Sequence, residues 1–322
     1  MTAKEIGSEF WSVPQAKQNA LLPEETQWFA SGRSALKAIL QENRFKTAAL
    51  PAWCCDSMIL PFLEEGIKVE FYQNELPKAD VALVLEHFGF SSELDTACFH
   101  GIIIRDLTHS LFSARKEDAD YYFGSLRKWA GFYTGGFAWG FKNPVSYEAE
   151  ATELLQLRDR AMEWKARYIQ GKTEDKGYLS LFSEAEELLE HIGVAPAAER
   201  DIDLAKHLDA SFIVARRREN AQLLLDAFSD IAIFPKMGEN DCPLFVPILV
   251  PDGKRNALRA HLIENKIYCP VHWPVSEYHS LTKEQTRLYE NELSLVCDQG
   301  YGAEDMQRMI DVIDSFFRGK LC

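Results

Sequence analysis

Residues 121–140 read YYFGSLRKWAGFYTGGFAWG. Two apolar runs, 120–124 and 136–141, flank a segment holding Ser125, the basic pair Arg127-Lys128 and the glycine pair Gly135-Gly136. Short, near-continuous apolar runs mark strands whose sheet is buried on both faces. Working outward, such runs recur at 47–50, 67–72, 81–86 and 101–105, with amphipathic helices expected at 32–43 and 56–66. Strands alternating with helices predict the α/β class, a large domain with a mostly parallel central sheet flanked by helices.

Downstream the pattern changes. Residues 148–191 are charged and helical in periodicity, with Gly171 and Gly177 as breaks. A helix (205–228), a strand (244–250), a helix (254–265), a short strand (267–270) and a last helix (303–318) follow. They suggest a smaller C-terminal α/β domain. The expected division is 1–165 for the large domain, 166–203 for a helical connection and 204–322 for the small domain.

Composition narrows the function classes. At 322 residues two domains are the natural expectation. No apolar run approaches the roughly 20 residues that span a bilayer. The start, MTAKEIGSEFW, lacks the basic and apolar regions of a signal peptide. Seven cysteines, odd in number and without metal-ligand spacing, favour free thiols in a reducing cytoplasm. A net charge of −14 argues against a nucleic-acid partner. No GxGxxG, P-loop or HExxH motif is present, so dinucleotide, triphosphate and zinc-protease readings have no anchor.

In open parallel sheets, ligands bind beyond the carboxyl ends of the strands. There the chain places His87, then Asp106 and His109, then Ser125, Arg127 and Lys128. The segment SGRSA (31–35) opens the first helix. A helix N-terminus favours an anion by about 0.3–1 kcal/mol, too little to retain a phosphate alone. Charge-assisted hydrogen bonds of about 1.5–3 kcal/mol each, from Arg33, Ser34 and Ser125, would supply the rest. The alternative is an ordinary cap, Ser31 with Gly32 in the first turn. Asp106 closes an apolar strand and needs a cation there. A protonated pyridine nitrogen would serve; the alternative is a buried Asp that caps a loop or pairs with Arg105 or Arg115. Lys128 among aromatics is either a desolvated nucleophilic amine or a stem lying along Trp129 with its head in water.

Other features weigh less. Cys54-Cys55 reads as packing rather than metal chemistry. The run Arg216-Arg217-Arg218 reads as a solvated helix face paired with acids such as Asp209 and Glu219, with phosphate binding as the alternative. His272, before Trp273, either lines a substrate pocket or holds a turn.

These blocks, in this order, resemble a known family. SGRSALKAIL, LPAWCCDSM, EHFGF, IIIRDLTHS, GSLRKW and TGGFAWG are similar to successive segments of pyridoxal-phosphate-dependent fold type I aminotransferases, the DegT/StrS-type sugar enzymes in particular. ARRRENAQLL (215–224) and IYCPVHWP (267–274) resemble the small-domain segments of that group. The resemblance implies pyridoxal 5'-phosphate joined to Lys128 as a Schiff base, with Asp106 facing the pyridine nitrogen and His109 near the ring oxygen. Gly32, Arg33, Ser34 and Ser125 match phosphate-side positions, and either Trp53 or Cys55 matches the residue over the ring. His87 joins the expected cofactor-binding set, and Arg127, His272 and Trp273 the substrate set. Arg33 stands where the family usually has Thr, and the chain is short for the branch.

By the same likeness, the amino donor is Glu or Gln and the acceptor a nucleotide-linked keto sugar, for cell-surface polysaccharide or secondary-metabolite synthesis. The protein would be a cytoplasmic homodimer. The alternatives are a pyridoxal-phosphate-dependent lyase or dehydratase, of which the lysine at 128 disfavours only the dehydratases that carry histidine there, or a non-catalytic dimeric relative that binds the cofactor.

Overall fold

The computed structural model describes residues 4–17, 21–91, 94–113 and 119–318. Its main sheet is built from β1 (Gln27–Phe29), β2 (Thr47–Pro51), β3 (Lys68–Tyr72), β4 (Val81–Leu85), β5 (Ile102–Asp106), β6 (Tyr121–Ser125) and β7 (Gly136–Trp139). The seven strands lie in the order β1-β7-β6-β5-β4-β2-β3. Pairing is parallel from β3 through β6, and β7 runs antiparallel to both of its neighbours. The mostly parallel α/β sheet read from the sequence is therefore the one that forms. All five residues of β4, VALVL, are buried, as a central strand covered on both faces requires.

Helix α1 (Gly32–Glu42) shows why the first helix forms where it does. Ser31 caps it, its hydroxyl oxygen accepting the Ser34 N–H at 3.1 Å. Ala35, Leu36, Ile39 and Leu40 recur at helical spacing and turn inward. Lys37, half-buried, pairs with Glu64 of α2 (Asp56–Glu64) at 2.6 Å. The charged stretch after the sheet folds as α3 (Thr152–Ile169) and α4 (Tyr178–His191), an antiparallel pair broken at Gly171 and Gly177 as expected.

Further on, the structure departs from the reading in several places. The helix expected over 205–228 is two helices, α5 (Glu199–Lys206) and α6 (Ala210–Phe228). Asp209 starts the second by accepting the Phe212 N–H at 3.0 Å, so the chain breaks just before it. The short strand expected at 267–270 is only an isolated bridge, Ile6 to Ile267. Its place is taken by β9 (Glu292–Val296), which pairs antiparallel with β8 (Phe245–Leu249). Helices α7 (Arg255–Glu264) and α9 (Ala303–Arg318) match expectation, whereas α8 (Lys283–Asn291) was not anticipated. Leu224, Val246, Leu262, Leu293, Met309 and Ile313 form a core of their own around this second sheet.

The two sheets are joined closely. The Leu244 N–H donates to the Phe88 carbonyl at 2.8 Å. Gly89, at φ +80°, lies so near that a Cβ there would sit 2.1 Å from the Cys242 oxygen. Arg216 makes the surface pair expected of the arginine run, with Glu219 at 3.4 Å, whereas Arg217 departs from it and crosses the same junction fully buried. Its Nε donates to Gln299 Oε1 at 2.8 Å and its Nη1 to the Leu244 carbonyl at 2.9 Å. Among the described residues, no helix is long and apolar enough to cross a membrane.

Candidate active site

The carboxyl ends of β5 and β6 lie side by side, with Asp106 opposite Phe123. After Ser125 the chain enters a single 3-10 turn, Leu126–Lys128, which presents Lys128. Three ties fix this turn. The Leu126 N–H donates to the Gly135 carbonyl at 2.8 Å. Trp129, buried beside it, donates its indole N–H to the Thr108 carbonyl at 2.9 Å. Buried Asp201 accepts both the N–H (2.7 Å) and the hydroxyl (2.6 Å) of Thr134, holding the glycine loop. Gly136 is required by contact: a Cβ there would stand 2.1 Å from the Ser31 carbonyl oxygen. The glycine lets the start of α1 settle against β7 beside the lysine turn.

These elements enclose a cavity of about 310 Å³. Lys128 projects into it and, among the described residues, its amine has no hydrogen-bond or ion-pair partner. Solvent reaches it through the cavity, but the surrounding protein, and secondarily the Arg127 charge, push its pKa down. Asp106 is 2 % exposed. Its carboxylate accepts the Thr108 N–H at 2.7 Å and meets no cation within ion-pair distance. Burial raises its pKa to about 6 against the opposing pull of Thr108 and Lys128. Arg105 follows the opposite face of the strand, and Arg115 lies outside the described residues.

Hydrogen bonds settle the state of His109. Its Nδ1 accepts the Phe88 N–H at 3.2 Å, which makes the ring neutral with its proton on Nε2. Burial, and then the neighbouring His272, hold its pKa well below the usual value. Trp273 stacks on this ring at 5.6 Å and 23°. At the far end, the first-turn N–H groups of Gly32 and Arg33 have no acceptor within α1, and both residues line the cavity.

Ten of the thirteen expected site residues line this cavity. Gly32, Arg33, Cys55, Asp106, His109 and Ser125 are among them. Arg127, Lys128, His272 and Trp273 complete the set. Three do not, and their expected roles are corrected accordingly. Ser34 turns its hydroxyl to the 193–195 segment, donating to the Gly193 carbonyl and accepting the Ala195 N–H, both at 2.8 Å. Trp53 lies behind the cavity wall and donates its indole N–H to the His272 carbonyl at 2.8 Å. His87 stacks on Trp53 at 4.7 Å and donates from Nε2 to the Trp53 carbonyl. Of the two residues in the Trp53-Cys54-Cys55 block weighed for the ring face, Cys55 is the one that reaches the cavity.

Sequence reasoning missed Thr108, Phe245, Glu186 and Glu190. The last two come from α4, four residues apart on one helical face. Glu186 pairs with Arg127 and, at 3.0 Å, with Arg158 of α3. Burial and the Arg158 charge lower the Arg127 pKa to about 9. The i, i+4 spacing of these glutamates was visible, but not which way the helix would face.

The site thus joins an unpaired amine, a buried acid without a cation and a helix end suited to an anion. No protein-family profile and no curated protein sequence matches the chain. Solved structures do resemble it. Helicobacter pylori PseC, an aminotransferase involved in the biosynthesis of pseudoaminic acid, is 15% identical. The likeness covers 97% of this chain and 100% of that one, at a TM-score of 0.65. Spr1654 from Streptococcus pneumoniae, solved in a PLP-form, is 15% identical over 97% of this chain and 94% of its own, at a TM-score of 0.63. DesI, solved in the presence of its TDP-sugar product, is 14% identical over 92% and 81%, at a TM-score of 0.62. Such likeness establishes the fold, that of the pyridoxal-phosphate-dependent aminotransferases.

Proposed function

We propose that this protein is a pyridoxal-phosphate-dependent aminotransferase, moving an amino group from Glu or Gln to a nucleotide-linked keto sugar. The observation that carries the reading is that Asp106 and Lys128 face one cavity, each lacking the partner its chemistry needs. The cofactor's residues fit. A buried carboxylate without a cation suits a protonated pyridine nitrogen, and an unpaired amine of lowered pKa suits an aldehyde. The N–H groups of Gly32 and Arg33, with the Ser125 hydroxyl, suit a phosphate. When bound, the cofactor supplies an electron sink that makes the donor's α-proton removable.

The chain does the remaining work. Lys128 would hold the cofactor and, once freed, serve as base and acid toward the proton of the donor's α-carbon. Asp106 keeps the ring nitrogen protonated, and His109 offers its Nε2 proton to the cavity. Cys55 and Trp273 flank the space, and Arg127 offers a charge for an anionic substrate group. DesI was solved with its TDP-sugar product and PseC is described as involved in the biosynthesis of pseudoaminic acid, which supports a sugar acceptor. Within this reading the protein is a cytoplasmic homodimer. Residues 1–165 carry the cofactor, 166–203 connect and 204–322 form the small domain.

The test is optical. Purified protein given pyridoxal phosphate should turn yellow and bleach on adding glutamate. If it stays colourless the proposal fails.

A further inference from the structure

A chain of buried polar groups stands behind His272. Glu292 and Ser294, both fully buried on β9, face the same way along the strand. One carboxylate oxygen of Glu292 accepts the backbone N–H of His272 at 2.7 Å. The other accepts the Ser294 hydroxyl at 2.5 Å. His272 Nδ1 lies 2.8 Å from Ser294 Oγ. Because that hydroxyl spends its only proton on the carboxylate, Oγ can only accept from the ring. The proton of neutral His272 is therefore on Nδ1. Its Nε2 carries a lone pair, has no partner among the described residues and belongs to a ring that lines the cavity. His109 has the opposite tautomer, so the two histidines present unlike groups to one space.

We propose that Glu292 and Ser294 are positioning residues that hold His272 with a bare Nε2, which accepts a hydrogen bond from the amino group of the incoming donor. The inference rests on the aminotransferase reading. Burial, and then the Lys128 charge, lower the His272 pKa to about 3. The ring therefore stays neutral, and its Nε2 lone pair can accept an N–H of the donor's amino group and fix where that nitrogen stands beside Lys128. Lys128 keeps no extra proton and stays free to act as base.

An isosteric change tests the polarity. In Glu292→Gln the His272 N–H still requires an acceptor, so the amide oxygen takes that side and the amide NH₂ faces Ser294. The hydroxyl must then donate to Nδ1, which drives the ring proton to Nε2. Imidazole nitrogen NMR on the ligand-free protein, above the pH near 7 at which Glu292 ionises, should find Nδ1–H in the parent and Nε2–H in E292Q. Ser294→Thr should restore the Nδ1–H form that Ser294→Ala loses. With pyridoxal phosphate bound, single-turnover bleaching by L-glutamate should slow at least about tenfold in E292Q. A parent ring protonated on Nε2, an unchanged tautomer in E292Q, or bleaching at the parent rate would overturn the proposal. Tautomers as expected in a protein that takes up no pyridoxal phosphate would sink the aminotransferase reading and the contact to the donor, leaving the positioning pair standing.

Discussion

Asp106 and Lys128 face the same cavity from the ends of neighbouring parallel strands, yet form no ion pair with each other. A buried acid left without a cation at ion-pair distance is costly in an empty site. The arrangement makes sense if a ligand belongs between them. A cationic ring atom would then face the acid and an electrophilic carbon the amine.

Lys128→Ala should remove the covalent attachment and little else. Borohydride reduction in the presence of pyridoxal phosphate, followed by peptide mapping, should label position 128 in the parent and nothing in the variant. Since the amine has no partner to lose, urea midpoints without cofactor should agree within about 1 kcal/mol.

Asp106→Asn should show an unusual pH signature. The folded protein keeps the Asp106 proton up to about 6, against 3.8 ordinarily. Folding therefore becomes harder as pH climbs from about 4 to 6, and the full penalty, about 3 kcal/mol, persists above that range. The variant should be more stable than the parent by up to that amount at pH 8 and equal to it below pH 4. It should also bind pyridoxal phosphate poorly. A parent that gains stability relative to the variant across this interval would contradict the assignment.

Asp201→Ala should loosen the lysine turn from outside the cavity. Thr134 is fully buried and gives both its N–H and its hydroxyl to this carboxylate. Leaving them unpaired should cost about 3 kcal/mol, visible as a lowered urea midpoint. Hydrogen exchange at 133–136 should accelerate more than exchange in β4.

Gly136→Ala separates phosphate binding from the rest of the site. The added carbon would press on the Ser31 oxygen, so α1 must shift at its start, at a cost of about 1–3 kcal/mol. Titration should show a greater loss of affinity for pyridoxal phosphate than for pyridoxal, which lacks the phosphate. Equal losses for both ligands would place the anion site elsewhere.

Much of this was legible in the residues, for identifiable reasons. The runs around β4, β5 and β6 announce themselves because both faces are buried, and the residues just beyond them form the site. Three-residue β1 carries too little pattern to be seen. β9, ELSLV, has a glutamate and a serine at buried positions, where strand patterns lead one to expect apolar groups. Those two side chains serve His272, so the hidden strand and the unread function have one cause. Ser34, Trp53 and His87 sit in the right blocks but turn away from the cavity, because their polar atoms find nearer partners in the chain. Glu186 and Glu190 needed the packing of α4 to be known.

The pinch between Gly89 and Cys242 limits how ligands can come and go. With that backbone approach and the Phe88–Leu244 hydrogen bond in place, the β8–β9 unit cannot swing off the sheet like a jaw without breaking its seat. The α3–α4 hairpin borders the cavity instead through exposed side chains, Glu186 and Glu190. We expect a covalent staple between α4 and α1 to retard product escape, and one across the 89–242 seam to leave it unaltered.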